Sequence, residues 1–137
     1  MEPLEISASA LAAQRTRMTA IAGNIANAST TRDAEGKNIP YRRLEVLFAP
    51  GDREGGPGVH VEGVREDPRP YQWTYDPNHP DAVHQAGSDR DGYVLMPRIN
   101  VVEEMVDMLL ASRAYEANLS AMEVSRSMHS AALRIIA

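Results

Sequence analysis

Residues 100–137 read NVVEEMVDMLLASRAYEANLSAMEVSRSMHSAALRIIA, and this stretch decides the fold class of the 137-residue chain. It holds no glycine or proline and opens on Asn100 with Glu103 three residues later, the arrangement of a helix capping box. Glu103, Glu104 and Asp107 stand near its start and Arg126, His129 and Arg134 toward its end, a polarity that complements a helix macrodipole. Val101, Met105, Met108, Ser112, Tyr115, Leu119, Met122, Arg126, His129, Leu133 and Ile136 alternate at spacings of three and four, which predicts a single coiled-coil-like seam. Val102, Val106 and Leu109 widen the apolar stripe over the first three turns. Such a helix would reach roughly 54 Å at 1.5 Å per residue.

The other end reads the same way. Leu4, Leu11, Met18 and Ile25 recur every seven residues, with Ser7, Gln14, Ile21 and Ala28 between them. Pro3 suits a first helical position and Glu5 a first turn. Ala8, Ala12 and Ala22 beside the seam are expected to let another helix come close. Asn27, Ser29 and Thr30 make a polar exit, and the helix would extend roughly 40 Å.

Eight of the nine glycines and eight of the nine prolines fall between these ends, leaving only Pro3 and Gly23 outside. Both residues disfavour helix interiors, so the chain divides into an N-terminal helical segment 1–31, an irregular middle 32–99 and a C-terminal helical segment 100–137. In the middle, Leu44, Val46 and Phe48 share one face with Arg43 and Glu45 on the other, Val59 and Val61 alternate with His60 and Glu62, and Tyr71, Trp73 and Tyr75 with Gln72 and Thr74; residues 92–96 make a further short run. These predict short antiparallel strands or loosely paired hairpins, with residues 32–39 and 50–57 mobile. The expected fold is therefore mainly α with a small β part, two long amphipathic helices packing coiled-coil-like around a β-rich middle.

A net charge of −5 with scattered basic residues argues against nucleic acid and against a polybasic membrane anchor. No run of apolar residues is long enough to span a bilayer, and the first residues lack the pattern of a cleavable signal peptide. No cysteine is present, which removes disulfides, thiolate metal sites and cysteine nucleophiles. The two helices are unequal in length, and the longer is apolar over more surface than a two-helix seam covers. That excess points to assembly with other chains rather than to an enzyme.

The same residues carry a family resemblance. SALAAQRTRM (Ser9–Met18), IAGNIANAST (Ile21–Thr30) and NVVEEMVDMLLASRAYEAN (Asn100–Asn118) resemble the terminal signatures of the bacterial flagellar axial proteins, the rod and hook proteins. PYRR (Pro40–Arg43), YDPNHPDA (Tyr75–Ala82) and GYVLMP (Gly92–Pro97) are similar to the proximal rod members, whereas distal rod and hook proteins are much longer in the middle. The resemblance covers most of residues 7–125. It departs at Pro97–Asn100, PRIN here, where the family more often shows Pro-Asn-Val-Asn.

The resemblance implies a structural subunit of the proximal rod of the flagellar basal body, in the part that crosses the periplasm, needed for motility. It further implies export through the flagellar type III apparatus without a cleaved signal, then helical polymerisation through the terminal helices. The implied partners are other copies of itself, other rod proteins and the export apparatus, with no nucleic acid and no membrane insertion. Another axial rod or junction component, or an adaptor of the same family, is the alternative; a cell-wall hydrolase has no catalytic constellation behind it.

The expected assembly-interface residues are Leu4, Leu11, Met18, Ile21, Ile25, Asn27, Val101, Met105, Met108, Arg113, Tyr115, Asn118, Leu119 and Met122. Tyr115 offers a large ring with a polar tip, and Arg113 can pair bidentately across an interface. Asn24, Asn27 and Asn118 either cap and solvate their helices or hydrogen-bond between helices to fix register. Glu103, Glu104 and Asp107 are explained by capping and dipole. Asp76, His79 and Asp81 lie in a proline-shaped turn rather than at metal-ligand spacing, and no catalytic residue, metal or cofactor is expected.

Overall fold

A computed structural model describes residues 2–51 and 55–136, the side chains of Glu2 and Ile136 excepted. Residues 52–54, part of the stretch expected to be mobile, lie outside the described residues, as does the Ile136 side chain of the expected seam. The elements follow the order α1 (Glu2–Ala26), β1 (Leu44–Pro50), β2 (Val59–Glu66), β3 (Tyr71–Tyr75), β4 (Tyr93–Pro97) and α2 (Val101–Ile136). The protein is thus mainly α with a small β part, and none of its described helices is long and apolar enough to cross a membrane.

α2 starts where the sequence says it should. The Asn100 side chain accepts the Val102 amide hydrogen at 3.1 Å, and its carbonyl accepts from the Glu104 amide, so Asn100 is the N-cap. α1 runs antiparallel to α2: Asn24 meets Glu104, Met18 meets Ser112, and Pro3 and Leu4 share a crevice with Ser125 and His129. Because α2 has 36 residues against 25 in α1, its last turns run on past the start of its partner.

The side of α2 that α1 covers differs from the expected seam. Val101, Glu104, Met108, Ala111, Ser112, Tyr115, Asn118, Met122 and Ser125 are buried or half-buried, while Met105, Leu119, Arg126, His129 and Leu133 are exposed. The 3–4 alternation is present but passes through 104, 111, 118 and 125 instead of 105, 119 and 126, with Ser112 still half-buried against Met18. Close approach is set by Ala13 and Ala111, which are buried; Ala8, Ala12 and Ala22 face outward.

The middle forms two separate two-stranded antiparallel sheets, β1 with β2 and β3 with β4. In the first, the register slips between Leu47↔Gly63 and Phe48↔Val61, leaving Glu62 as the extra residue. The positions of the valines explain what this bulge does. Val59 and Val61 are odd-numbered and Val64 even, so a regular strand would place them on opposite faces. With one extra residue between them, all three join Leu44, Val46 and Phe48 on one face.

The β1–β2 hairpin lies along α1. At its turn end the Val59 amide donates to Ser9 Oγ at 3.1 Å. Gly58, at φ 126°, comes so close to α1 that a β-carbon there would stand 2.6 Å from the same oxygen. The β3–β4 hairpin packs against none of the other described elements. It is tethered through loops instead: Arg32 and Thr31 both bond to Asp81, and Arg42 reaches Tyr71 Oη and Glu66.

The buried apolar side chains among the described residues are Ala13, Ile21, Val94 and Ala111, with Pro40 and Pro97, none larger than isoleucine. Ser7, Asn24, Thr31 and Glu104 are buried with them. A core this small gives modest hydrophobic stabilisation.

Candidate assembly surface

α2 carries a second apolar stripe on the side turned away from α1. Val102, Met105, Val106, Leu109 and Leu110 are 52–68% exposed. They follow the i, i+3, i+4, i+7, i+8 pattern that defines one helical face. Glu103 at the rim is exposed. The stripe stops at Arg113 and Glu116, which pair along the helix at 3.7 Å. Farther on, Leu119, Val124, Met128, Leu133 and Ile135 are exposed as well. In a chain with so little buried apolar volume, a contiguous exposed stripe of this kind marks a place for another surface.

The residues expected at the interface fall into three groups. Leu4, Leu11, Met18, Ile21 and Ile25 of α1 are buried or half-buried within the chain, as are Val101, Met108, Tyr115 and Met122 of α2; of these, Met18 and Leu4 meet α2 at Ser112 and beside Ser125 and His129. Met105, Leu119 and Arg113 are exposed, so the chain itself leaves them free for a neighbour. Asn27 and Asn118 each donate from Nδ2 to a carbonyl one turn back in their own helix, Gly23 at 2.9 Å and Ala114 at 2.7 Å. Both bonds stay within one helix rather than crossing to the other: Asn27 lies at the end of α1, and Asn118 back-bonds in the middle of α2.

Asn24 takes the cross-helix alternative. Its side chain, 1% exposed, donates to Glu104 Oε2 at 3.0 Å and to the Leu44 carbonyl at 2.9 Å. Its Oδ1 accepts from the Leu44 amide at 2.9 Å and from the Tyr41 hydroxyl at 3.3 Å. All four bonding positions of the amide are therefore used, and the amide pairs with Leu44 as a neighbouring strand would. Glu104 is 1% exposed and takes Arg43 Nε on its other oxygen at 2.6 Å. Arg43 goes on to Glu45 at 2.7 Å, and Glu45 to Arg65 at 2.8 Å. One chain of charged and amide groups thus joins α1, α2 and both strands of the first hairpin.

This corrects the reading that capping and dipole explain Glu104. Glu103 occupies the exposed first-turn position, while Asp107 faces Arg17 at 3.6 Å. The signal in the sequence was Glu104's place three residues after Val101 and four before Met108, which makes it the one charged residue among the alternating 101, 104, 108, 111, 115, 118, 122 and 125 positions. Its partner Arg43 sits 61 residues away, beyond any periodicity argument.

The electrostatics follow from this geometry. Burial works against the Arg43 charge, but the hydrogen bond and attraction to Glu104, then to Glu45, hold its pKa above the ordinary value. Burial, and then the Glu104 charge, push the Tyr41 hydroxyl up. The Arg65 hydrogen bond holds the Glu45 carboxyl below the usual range, with Arg43 assisting.

The proline-rich turn is tied down rather than open. The His79 Nδ1 accepts the Asp81 amide hydrogen at 3.0 Å, and Asp76 accepts from the Asn78 amide. Asp81 accepts from Thr31 at 2.7 Å and from Arg32 Nε at 2.8 Å. No group of three acidic or histidine side chains among the described residues is arranged to hold a metal ion.

Two family models match the chain at the two ends where the helices lie. The model described as flagella basal body rod protein matches residues 4–32, and that described as flagellar basal body rod FlgEFG protein C-terminal matches residues 90–135. Whole-chain similarity is broader. The flagellar basal-body rod protein FlgC of Borreliella burgdorferi is 41% identical, the alignment covering 97% of this chain and 95% of that protein. The protein of the same name from Bacillus subtilis is 37% identical over 96% of this chain and 95% of its own length, and that of Salmonella typhimurium is 41% identical over 90% and 88%. Coverage this broad takes in the middle segment as well as both helices, and the chain belongs to the flagellar basal-body rod protein FlgC family.

Proposed function

We propose that this chain is a structural subunit of the flagellar basal-body rod that polymerises helically, the free stripe of α2 seating against helices of neighbouring subunits in coiled-coil-like packing. The observation that carries this reading is the Val102–Leu110 stripe, exposed on a helix whose opposite side α1 already occupies. Met105, Arg113 and Leu119 lie on the surface offered to the neighbour. Leu4, Leu11, Met18, Ile21, Ile25, Val101, Met108, Tyr115 and Met122 hold the helix pair that presents it, and Asn27 and Asn118 bond within their own helices. A surface that meets a different patch on the next copy propagates as a helical assembly wherever the rotation between copies does not close a ring.

The partners on this reading are other copies and other rod proteins, together with the flagellar type III export apparatus that delivers the chain. Unfolded delivery is favoured by the small apolar core and by the absence of cysteine. A long helix without its partners is marginal in water, so its final ordering belongs to the growing tip. The role is structural, and the family's named members are rod proteins.

The test is complementation of a strain lacking its own copy by chains missing residues 1–28 or 101–137. Loss of swimming and of rods in isolated basal bodies is expected for both. Normal swimming with either deletion would sink the reading.

A further inference from the structure

We infer that Asn24, Arg43 and Glu104 form a register lock, a buried polar cluster that lets the β1–β2 hairpin dock only when α1 and α2 are paired in one alignment. The cluster draws one side chain from each of three separate parts of the chain. Glu104 comes from α2, Asn24 from α1, and Arg43 from the segment entering β1, whose next residue, Leu44, is held by Asn24 through both backbone groups. No two of these parts satisfy the cluster without the third.

The seam itself explains why the lock selects one alignment. Moving α2 by one heptad along α1 replaces Glu104 with Ala111 opposite Asn24, and every later inward position (Met108, Ala111, Tyr115, Asn118, Met122, Ser125) is uncharged. In a slipped pairing Arg43 would lose its buried carboxylate partner and Glu104 would be left without Asn24, and an uncompensated buried charge is strongly unfavourable. The uncharged residues on either side do not discriminate between alignments in this way, because a one-heptad shift again alternates large side chains (Met108, Tyr115, Met122) with small ones (Ala111, Asn118, Ser125) along the seam. Buried polar groups that fix alignment at some expense of stability have this form. The hairpin is the second thing controlled. Leu44 begins β1, and its amide and carbonyl are both held by Asn24, so the strand is nucleated from the side of α1 only where Glu104 also orients that amide.

The absence of cysteine makes the test direct. In the full chain, Met18→Cys with Ser112→Cys places two thiols where Met18 Sδ and Ser112 Oγ lie 3.6 Å apart. Met18→Cys with Leu119→Cys reports a slip of one heptad. With the lock intact, oxidation is expected to join 18 to 112 and not 18 to 119. With Asn24→Leu, Arg43→Met and Glu104→Met added, both pairs are expected to cross-link, and β1–β2 amides are expected to exchange with solvent at least about tenfold faster while helix content is kept. Glu104→Gln serves if the triple variant does not fold; it keeps the acceptor for Asn24 but removes the Arg43 ion pair, and about tenfold faster hairpin exchange at unchanged helix content is again expected. A triple variant that cross-links only 18 to 112, hairpin exchange unchanged in Glu104→Gln, or no 18-to-112 cross-link with the lock intact would each overturn the proposal.

Discussion

Arg32 and Asp81 are 49 residues apart in the chain, yet Arg32 donates from Nε to the Asp81 carboxylate at 2.8 Å, and Thr31 donates to its other oxygen. The contact fastens the proline-rich turn before β4 to the segment that leaves α1. Since the β3–β4 hairpin packs on no other described element, this pair and Arg42 decide where it sits. The Asp81 carboxylate is almost closed off, with 5% of the side chain exposed, while the Arg32 side chain is 55% exposed.

That pair carries a pH dependence. The Arg32 hydrogen bond, helped by Thr31, holds the Asp81 carboxyl below its usual range. A depressed folded-state pKa means that the contribution is fully present above the unfolded value of about 3.9 and is lost as pH falls from there through the folded value. Local opening of the 76–92 loop, followed by amide exchange or by NMR, is expected to increase in that acid window. Asp81→Asn should open the loop at neutral pH and flatten this part of the profile. Glu45, also held low, acts in the same window but on the first hairpin, so the two are separated by which amides respond.

The outer stripe of α2 gives a prediction in which stability and assembly part. Leu109 is 57% exposed, so Leu109→Asp should change the unfolding free energy of the isolated chain by no more than about 0.5 kcal/mol. Incorporation into basal bodies should nevertheless fail, because a charge would be buried without a partner in the assembled contact. Leu119→Asp, on the same helix and 41% exposed, should behave alike, with export continuing. Normal incorporation of both variants, read from purified basal bodies, would place the contact elsewhere.

The inner contact responds in the opposite sense. Ala111 is wholly buried where α1 and α2 come close, and Ala13 is nearly so. Ala111→Leu adds volume with no room for it and should cost about 1–3 kcal/mol, lowering the thermal midpoint of the isolated chain. Ala12→Leu, on the exposed side of α1, is the control and should leave the midpoint nearly unchanged.

Gly58 tests the seating of the first hairpin. Its φ of 126° disfavours any side chain, and so does Ser9 Oγ, which would lie only 2.6 Å from a β-carbon at this position. Gly58→Ala should destabilise by more than about 1 kcal/mol and speed exchange of the Val59 amide, which loses its Ser9 acceptor. Gly36→Ala, also at positive φ but with nothing near it, carries the backbone strain alone, and the difference between the two isolates the contact with α1.

Composition and periodicity alone determined that the ends are helices and the middle is not. Glycine and proline are nearly excluded from both ends, Asn100 is set to cap α2, and apolar residues recur on a helical period. These are local effects of backbone entropy, capping and side-chain spacing, and they act within a few residues. The strands were legible for the same reason, as runs of alternating residues between turns. The terminal signatures likewise carried the family. The bulge at Glu62 was not legible, although the parity change from Val61 to Val64 was its trace.

Only the tertiary structure decided which side of α2 faces α1. By the ordinary rule that charge stays in water, Met105 belonged inside and Glu104 outside. The fold reverses them, because Arg43 and Asn24 arrive from distant parts of the chain to complete the Glu104 bonding, leaving the Met105 side of the helix free. A carboxylate with both oxygens satisfied can be buried where an unpaired one cannot, and no reading of neighbours along the chain contains that pairing. The free apolar stripe is the other half of the same choice, and it is the surface on which the proposed assembly rests.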